Sequence, residues 1–209
     1  MHSRKYYLLA GIIAFAVLIS LIIIYAIVPG GKPGAHGYIE LEIISGLIKD
    51  GDIICRLGDR LWSRYFRDVS VTDKRFSHMG ILRMKDDVIT VIHAEGNTGH
   101  GIDSVNEIAL DEFIEFAGAI GIYRIKDLDG SQISKLAVNY LGVPFDWQFD
   151  LNDDSKLYCT ELLFAILKEA APEIELNHIF IRHLGKTIIP LDAISNSELF
   201  NEIYFIARN

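Results

Sequence analysis

Two short segments carry residue types that together do thiol chemistry. Ser77-His78-Met79-Gly80-Ile81 sets a histidine at the start of one apolar run. Tyr158-Cys159-Thr160-Glu161-Leu162-Leu163 sets a cysteine at the start of another, 81 residues after His78. A cysteine at a helix N-terminus lies where the partial positive charge of the helix favours a thiolate. A histidine within hydrogen-bond reach can take the thiol proton and later return it to a leaving group. The pair points to a cysteine hydrolase or transferase.

A third group must hold the imidazole in the right tautomer and orientation. His93 lies seven residues beyond Asp86 and His78 eight before it. A tight turn centred there sets the two histidines near-opposite on one face of a hairpin. Glu95 is two residues on, hence on the same strand face as His93, and could replace or support it. A metal centre is the competing chemistry, with His78, His93, Glu95 and His100 as ligands. No H-E-x-x-H or paired C-x-x-C is present, and His178 and His183 lack carboxylate company. The expectation is therefore no metal and no cofactor. Only Cys55 and Cys159 are cysteines, and Cys159 is read as a reactive thiol rather than half of a disulfide.

These residues need a scaffold. Leu41, Ile43, Ile44, Leu47 and Ile48 suggest a short amphipathic helix, and Ile53-Ile54-Cys55 a buried strand. Residues 59–67 read as a helix and 68–76 as a polar connection. Strands 78–84 and 88–94 flank the turn Lys85-Asp86-Asp87 and pair antiparallel. Residues 97–101 read as a loop, 111–117 as a helix and 119–125 as a strand. Ser131 is the expected cap of a helix bearing Ile133, Leu136, Ala137, Tyr140 and Leu141. The helix opening at Cys159 runs to about Ala170, where Pro172 stops it. Late strands are expected at 187–190 and 202–206. The sum is an α+β domain, a central antiparallel sheet packed on helices.

Residues 7–28 contain no Asp, Glu, Lys or Arg. Twenty-two residues at about 1.5 Å each span roughly 33 Å, enough for a bilayer core. The run is too long for a cleaved signal, so one N-terminal transmembrane helix is expected as an uncleaved signal anchor. Arg4 and Lys5 keep residues 1–6 in the cytoplasm and send the rest outside, past a Gly/Pro linker over 29–37. The lipid bilayer is thus an expected partner through residues 7–28. The chain holds 20 basic and 28 acidic residues, and residues 1–34 hold three basic and no acidic ones. The remainder stands at 17 against 28, a net of −11, which argues against a nucleic-acid partner.

Five segments in order then carry a resemblance: Gly51-Asp52-Ile53-Ile54, Ser77-His78-Met79-Gly80-Ile81, Val91-Ile92-His93-Ala94, Gly142-Val143-Pro144-Phe145-Asp146-Trp147 and Tyr158-Cys159-Thr160-Glu161-Leu162. The chain resembles the circularly permuted branch of the NlpC-type papain-like superfamily, the YiiX/YebB-like group, across roughly residues 45–206. The resemblance implies a permuted papain-like domain over 38–209, with a sheet against the nucleophile helix and a Cys159–His78 dyad. It implies a polar third residue on the next strand, often Glu in that group and here matched by His93. It also implies acyl transfer at a carbonyl: amide hydrolysis of cell-wall peptides, or hydrolysis and transfer of lipid acyl groups. An oxyanion would be held by the backbone N–H of Cys159 and one further donor. Residence outside the cytoplasm favours a peptide substrate, and a nine-residue linker to the bilayer favours an acyl lipid nearly as well. A catalytically silent acyl- or peptide-binding module is the reading from another class. Tyr158, Phe145 and Trp147 are candidates to line the substrate cleft.

Overall fold

The computed structural model describes residues 36–58, 61–96, 103–182 and 185–207. The expected span at 7–28, most of the 29–37 linker, the loop at 97–101, His100 and His183 lie outside them. Among the described residues no helix is long and apolar enough to cross a membrane.

The elements run α1 (His36–Leu47), β1 (Ile53–Leu57), α2 (Leu61–Val69), β2 (His78–Lys85), β3 (Val88–Glu95), β4 (Ser104–Ala109), α3 (Leu110–Ile114) and β5 (Ala119–Ile125). They continue with α4 (Gly130–Val138), α5 (Cys159–Ala170), β6 (Ile179–Ile181), β7 (Lys186–Ile188), α6 (Asp192–Ser195) and β8 (Phe200–Ala207). Six strands form one sheet in the order β4-β3-β2-β1-β5-β8, every neighbouring pair antiparallel. The α+β architecture expected from the sequence is the one observed.

Strand alternation gives this sheet two apolar faces. Ile53, Met79, Ile81, Ile92 and Ala94 meet Leu162, Leu163 and Ile166 of α5 on one side. Ile54, Leu82, Val91 and Ile122 meet Ile44 of α1 and Phe113 of α3 on the other. In α1 only part of the expected face is inward, since Ile43 and Leu47 are exposed.

The first resembling segment is structural. Gly51 has φ +78, and a Cβ there would lie 1.9 Å from the Gly130 carbonyl oxygen, so only glycine allows this approach. Asp52 accepts two 2.7 Å hydrogen bonds from Arg124 and one of 2.8 Å from Lys49 N–H. These contacts hold the start of β1 against α4 and β5.

Two local expectations are corrected, and one strand is added. Ser104–Ala109 is a strand, and α3 is shorter than 111–117. Its register sets Val105, Asn106 and Glu107 against Ala94, His93 and Ile92, so the pairing edge of β3 decides it. The N-cap of α4 is Asp129, whose carboxylate accepts from Ser131 N–H at 3.0 Å. Asp129 supplies the shorter Asx-type reach, leaving Ser131 inside the first turn.

Candidate active site

The hairpin β2–β3 turns through Asp86 and Asp87 at φ 50 and 63, a two-residue connection that suits strand twist. Its register runs from Lys85↔Val88 to Ile81↔Ile92. Carried one step on, it sets His93 opposite Gly80, so His78 is diagonal to His93 rather than opposite it. The shared face is as expected, and the offset arises because the turn centre lies between Asp86 and Asp87. Gly80 makes the diagonal contact possible. A Cβ there would lie 2.4 Å from Val91 and 3.1 Å from the His93 Cβ.

His78 Nε2 lies 2.9 Å from His93 Nδ1. The ring of His78 stacks on Phe113 at 5.7 Å, and His93 meets the same ring edge-on at 5.3 Å. His93 is fully buried, with Glu95 Oε2 3.7 Å from its Nδ1. The other Glu95 oxygen takes a 3.0 Å bond from Arg56. Arg56 also donates to the Phe113 carbonyl at 2.7 Å and covers the Phe113 ring. Burial, then the positive charge of Arg56, holds His93 down at about 3. Burial, Arg56 and His93 keep His78 well below the usual histidine range. Both imidazoles are therefore neutral at pH 7.

Arg56, Phe113 and Asn106 were not identified from the sequence. Asn106 is the cross-strand partner of His93. The Nε2 of His93 and both amide atoms of Asn106 are buried and have no hydrogen-bond partner. Asn106 acts on the imidazole in the opposite sense to burial, raising its pKa. The signal for Arg56 was its place one strand over from His78. The Asn106 signal was hidden with β4.

Cys159 opens α5, and the fold uses its neighbours to fix it. Tyr158 accepts from Ile189 N–H at 2.9 Å, and Thr160 donates to the Ile189 carbonyl at 2.7 Å. Glu161 accepts from Tyr158 N–H at 3.3 Å, a cap reaching back from the first turn. Burial holds the Glu161 carboxyl up at about 8, with Asp146 and Asp154 adding to it against the Tyr158 N–H. Cys159 is half-buried, and both cysteines are free thiols. Burial pushes the Cys159 thiol up to about 11, against hydrogen bonding from the N–H groups of Met79, Thr160 and Cys159 itself. The Met79 peptide, which follows His78 on β2, thus acts on the sulfur. No hydrogen bond joins it to His78 among the described residues. The expectation of a resting thiolate is corrected, because desolvation outweighs the helix terminus.

The other cleft candidates differ from one another. Tyr158 and Phe145 are buried, so Tyr158 is a structural clamp rather than a cleft wall. Trp147 is exposed, meets Phe145 edge-on at 4.9 Å and donates to Asp103 at 2.7 Å. Between them Asp146 accepts from Gln148 and Asp150 N–H groups and holds the loop. His178 packs on Phe164 and takes no part in the site.

The description "permuted papain-like amidase enzyme, YaeF/YiiX, C92 family" matches residues 48–193. The chain belongs to this family of permuted papain-like amidases. A permuted papain-like amidase is a cysteine hydrolase, the reaction class expected from the sequence. The fold agrees: a solved structure described as metalloprotein yiiX from Escherichia coli O157:H7 is similar, with a TM-score of 0.60 and 18% identity. The likeness covers 78% of this chain and 98% of that one. No match is found among curated proteins.

Proposed function

We propose that this amidase is a membrane-anchored, extracytoplasmic cysteine hydrolase that cleaves amide bonds in cell-wall peptides, with Cys159 as nucleophile and His78 as base. The observation that carries the reading is the free, half-buried thiol at the start of the helix α5. The charge-free run 7–28 and the Arg4-Lys5 flank support the anchor and its orientation.

The proton order follows from the network. If His93 donates Nε2–H to Asn106, its Nδ1 is a lone pair and accepts from His78 Nε2–H. The remaining nitrogen of His78, Nδ1, is then the base. His93 is the third member, and Glu95 orients Arg56 and the rim of His93. The pair rests as neutral thiol and neutral imidazole, so proton transfer to His78 accompanies attack. Sulfur adds to the carbonyl carbon, and the Cys159 N–H meets the oxyanion. Collapse breaks the C–N bond, and His78 gives its proton to the departing amine. His78 then draws a proton from water, which attacks the thioester and frees the acid and the thiol.

The test is cleavage of cell-wall peptide fragments by the full chain and by Cys159→Ala. New amine ends with wild type and intact fragments with Cys159→Ala support the reading. Intact fragments in both, with lipid esters hydrolysed instead, would move the substrate to acyl lipids. Intact fragments and esters in both would leave a binding module.

A further inference from the structure

The described residues hold one compact group of mixed donors, and two of its members, His78 and His93, also belong to the acyl-transfer machinery. A ligand atom from each of His78, His93 and Glu95 lies within 4.8 Å of the other two. The spacings along the group are 2.9 Å from His78 Nε2 to His93 Nδ1 and 3.7 Å from there to Glu95 Oε2. Two donors at about 2.0–2.1 Å from a tetrahedral ion stand about 3.3–3.4 Å apart. The two observed spacings bracket that value, and the third, from His78 to Glu95, is held within 4.8 Å.

The surroundings hold the ligands as metal sites do. A ligating histidine normally donates its other N–H to a fixed acceptor. His93 Nε2 and the amide of its cross-strand partner Asn106 are both buried without a hydrogen-bond partner, which leaves that amide as the acceptor a ligating His93 would need. The Glu95 oxygen outside the group is anchored by Arg56, and Phe113 stacks on the His78 ring. Two imidazoles and one carboxylate suit zinc-type ions over calcium or magnesium. The Arg56 charge opposes a cation, which places the site among exchangeable rather than permanent ones.

We propose that His78 Nε2, His93 Nδ1 and Glu95 Oε2 bind a divalent transition ion of the zinc type, and that the ion switches the thiol chemistry off. The switch rests on the hydrolase reading above, and the binding does not. An ion on His78 Nε2 takes that lone pair, and the imidazole proton moves to Nδ1. That nitrogen then has no lone pair for the Cys159 proton. The ion also draws His78 toward β3 and away from the sulfur.

The experiment is titration of the full chain in detergent with Co(II), followed by its visible absorption, and with Zn(II) by calorimetry. Cys159→Ala serves as the parent, which removes thiolate ligation and needs no turnover. The expected result is one ion per chain with a four- or five-coordinate cobalt spectrum. Binding is expected at least about a hundredfold weaker in His93→Gln and Glu95→Gln, and about tenfold weaker in Asn106→Ala. Glu95→Gln guards against a His93 variant that does not fold. No ion bound by Cys159→Ala, or equal affinity in Glu95→Gln, would overturn the site. Ion binding without Zn(II) inhibition of wild-type hydrolysis would overturn the switch. Loss of the hydrolase reading alone would leave the cobalt spectrum unchanged.

Discussion

Strands β2 and β3 serve two neighbours on different physical terms. Toward α5 they present Met79, Ile81, Ile92 and Ala94, which meet only apolar side chains of that helix. Toward α3 they present His78, His93 and Glu95, which must satisfy one another and Arg56 within a desolvated layer. The first face is a mount: burial there, with the hydrogen bonds of Tyr158, Thr160 and Glu161, fixes where the thiol stands. The second is the chemistry: His93 is out of water and its neighbours are partly so, so each depends on a named partner. The separation means that stability and proton transfer respond to different substitutions.

The largest expected effect concerns the sulfur. A thiol held up at about 11 is ionised to about one part in 10⁴ at pH 7. Alkylation by iodoacetamide should therefore rise about tenfold per pH unit from 7 to 10, with no plateau near neutrality. A plateau near pH 6–7 would mean a resting ion pair and would erase the contrast between a passive mount and an active polar face. Next comes His78→Ala, which should lower kcat/KM about 10²–10⁴-fold with little change in melting temperature. A variant that keeps its activity would remove the polar face from the mechanism.

Leu163→Ala tests the other side. Leu163 is fully buried under the sheet, and its truncation should cost about 2–5 kcal/mol. Activity per folded molecule should change less than in His78→Ala. A large loss of kcat in a protein that remains folded would show that the mount also tunes the chemistry.

The smallest effect is at Glu161, in the first turn of α5. Its carboxyl is held up at about 8 in the folded chain, against about 4.3 for a free Glu. Its raised value adds stability below pH 4.3, and that stability is lost as pH rises to about 8. Glu161→Gln should therefore melt with wild type near pH 4 and gain about 1 kcal/mol or more on it by pH 8. A gap that does not vary with pH would place the carboxyl in contact with water.

The legibility of the site divides along the same line. Cys159 and His78 were readable because each opens an apolar run, and a run's start is a local signal. The hairpin was readable from Lys85-Asp86-Asp87, which brought His93 to the same face as His78. Asn106 was not readable, because Ser104–Ala109 has no alternation of its own and becomes a strand by pairing with β3. Arg56 and Phe113 were missed for a related reason. Their roles depend on β1 beside β2 and on α3 above both, which no spacing within one segment reveals. The height of the Cys159 pKa was also out of reach, since a helix start announces positive potential and says nothing of how dry it is.

The central claim is that Cys159 carries the acyl group. Its most direct test is intact-mass spectrometry of the full chain quenched in acid during turnover of an activated acyl substrate. The account predicts an added acyl mass mapped to the Cys159 peptide, decaying in water and longer-lived when substrate is removed from His78→Ala. Turnover with no adduct on that peptide, or equal turnover by Cys159→Ala, would contradict it.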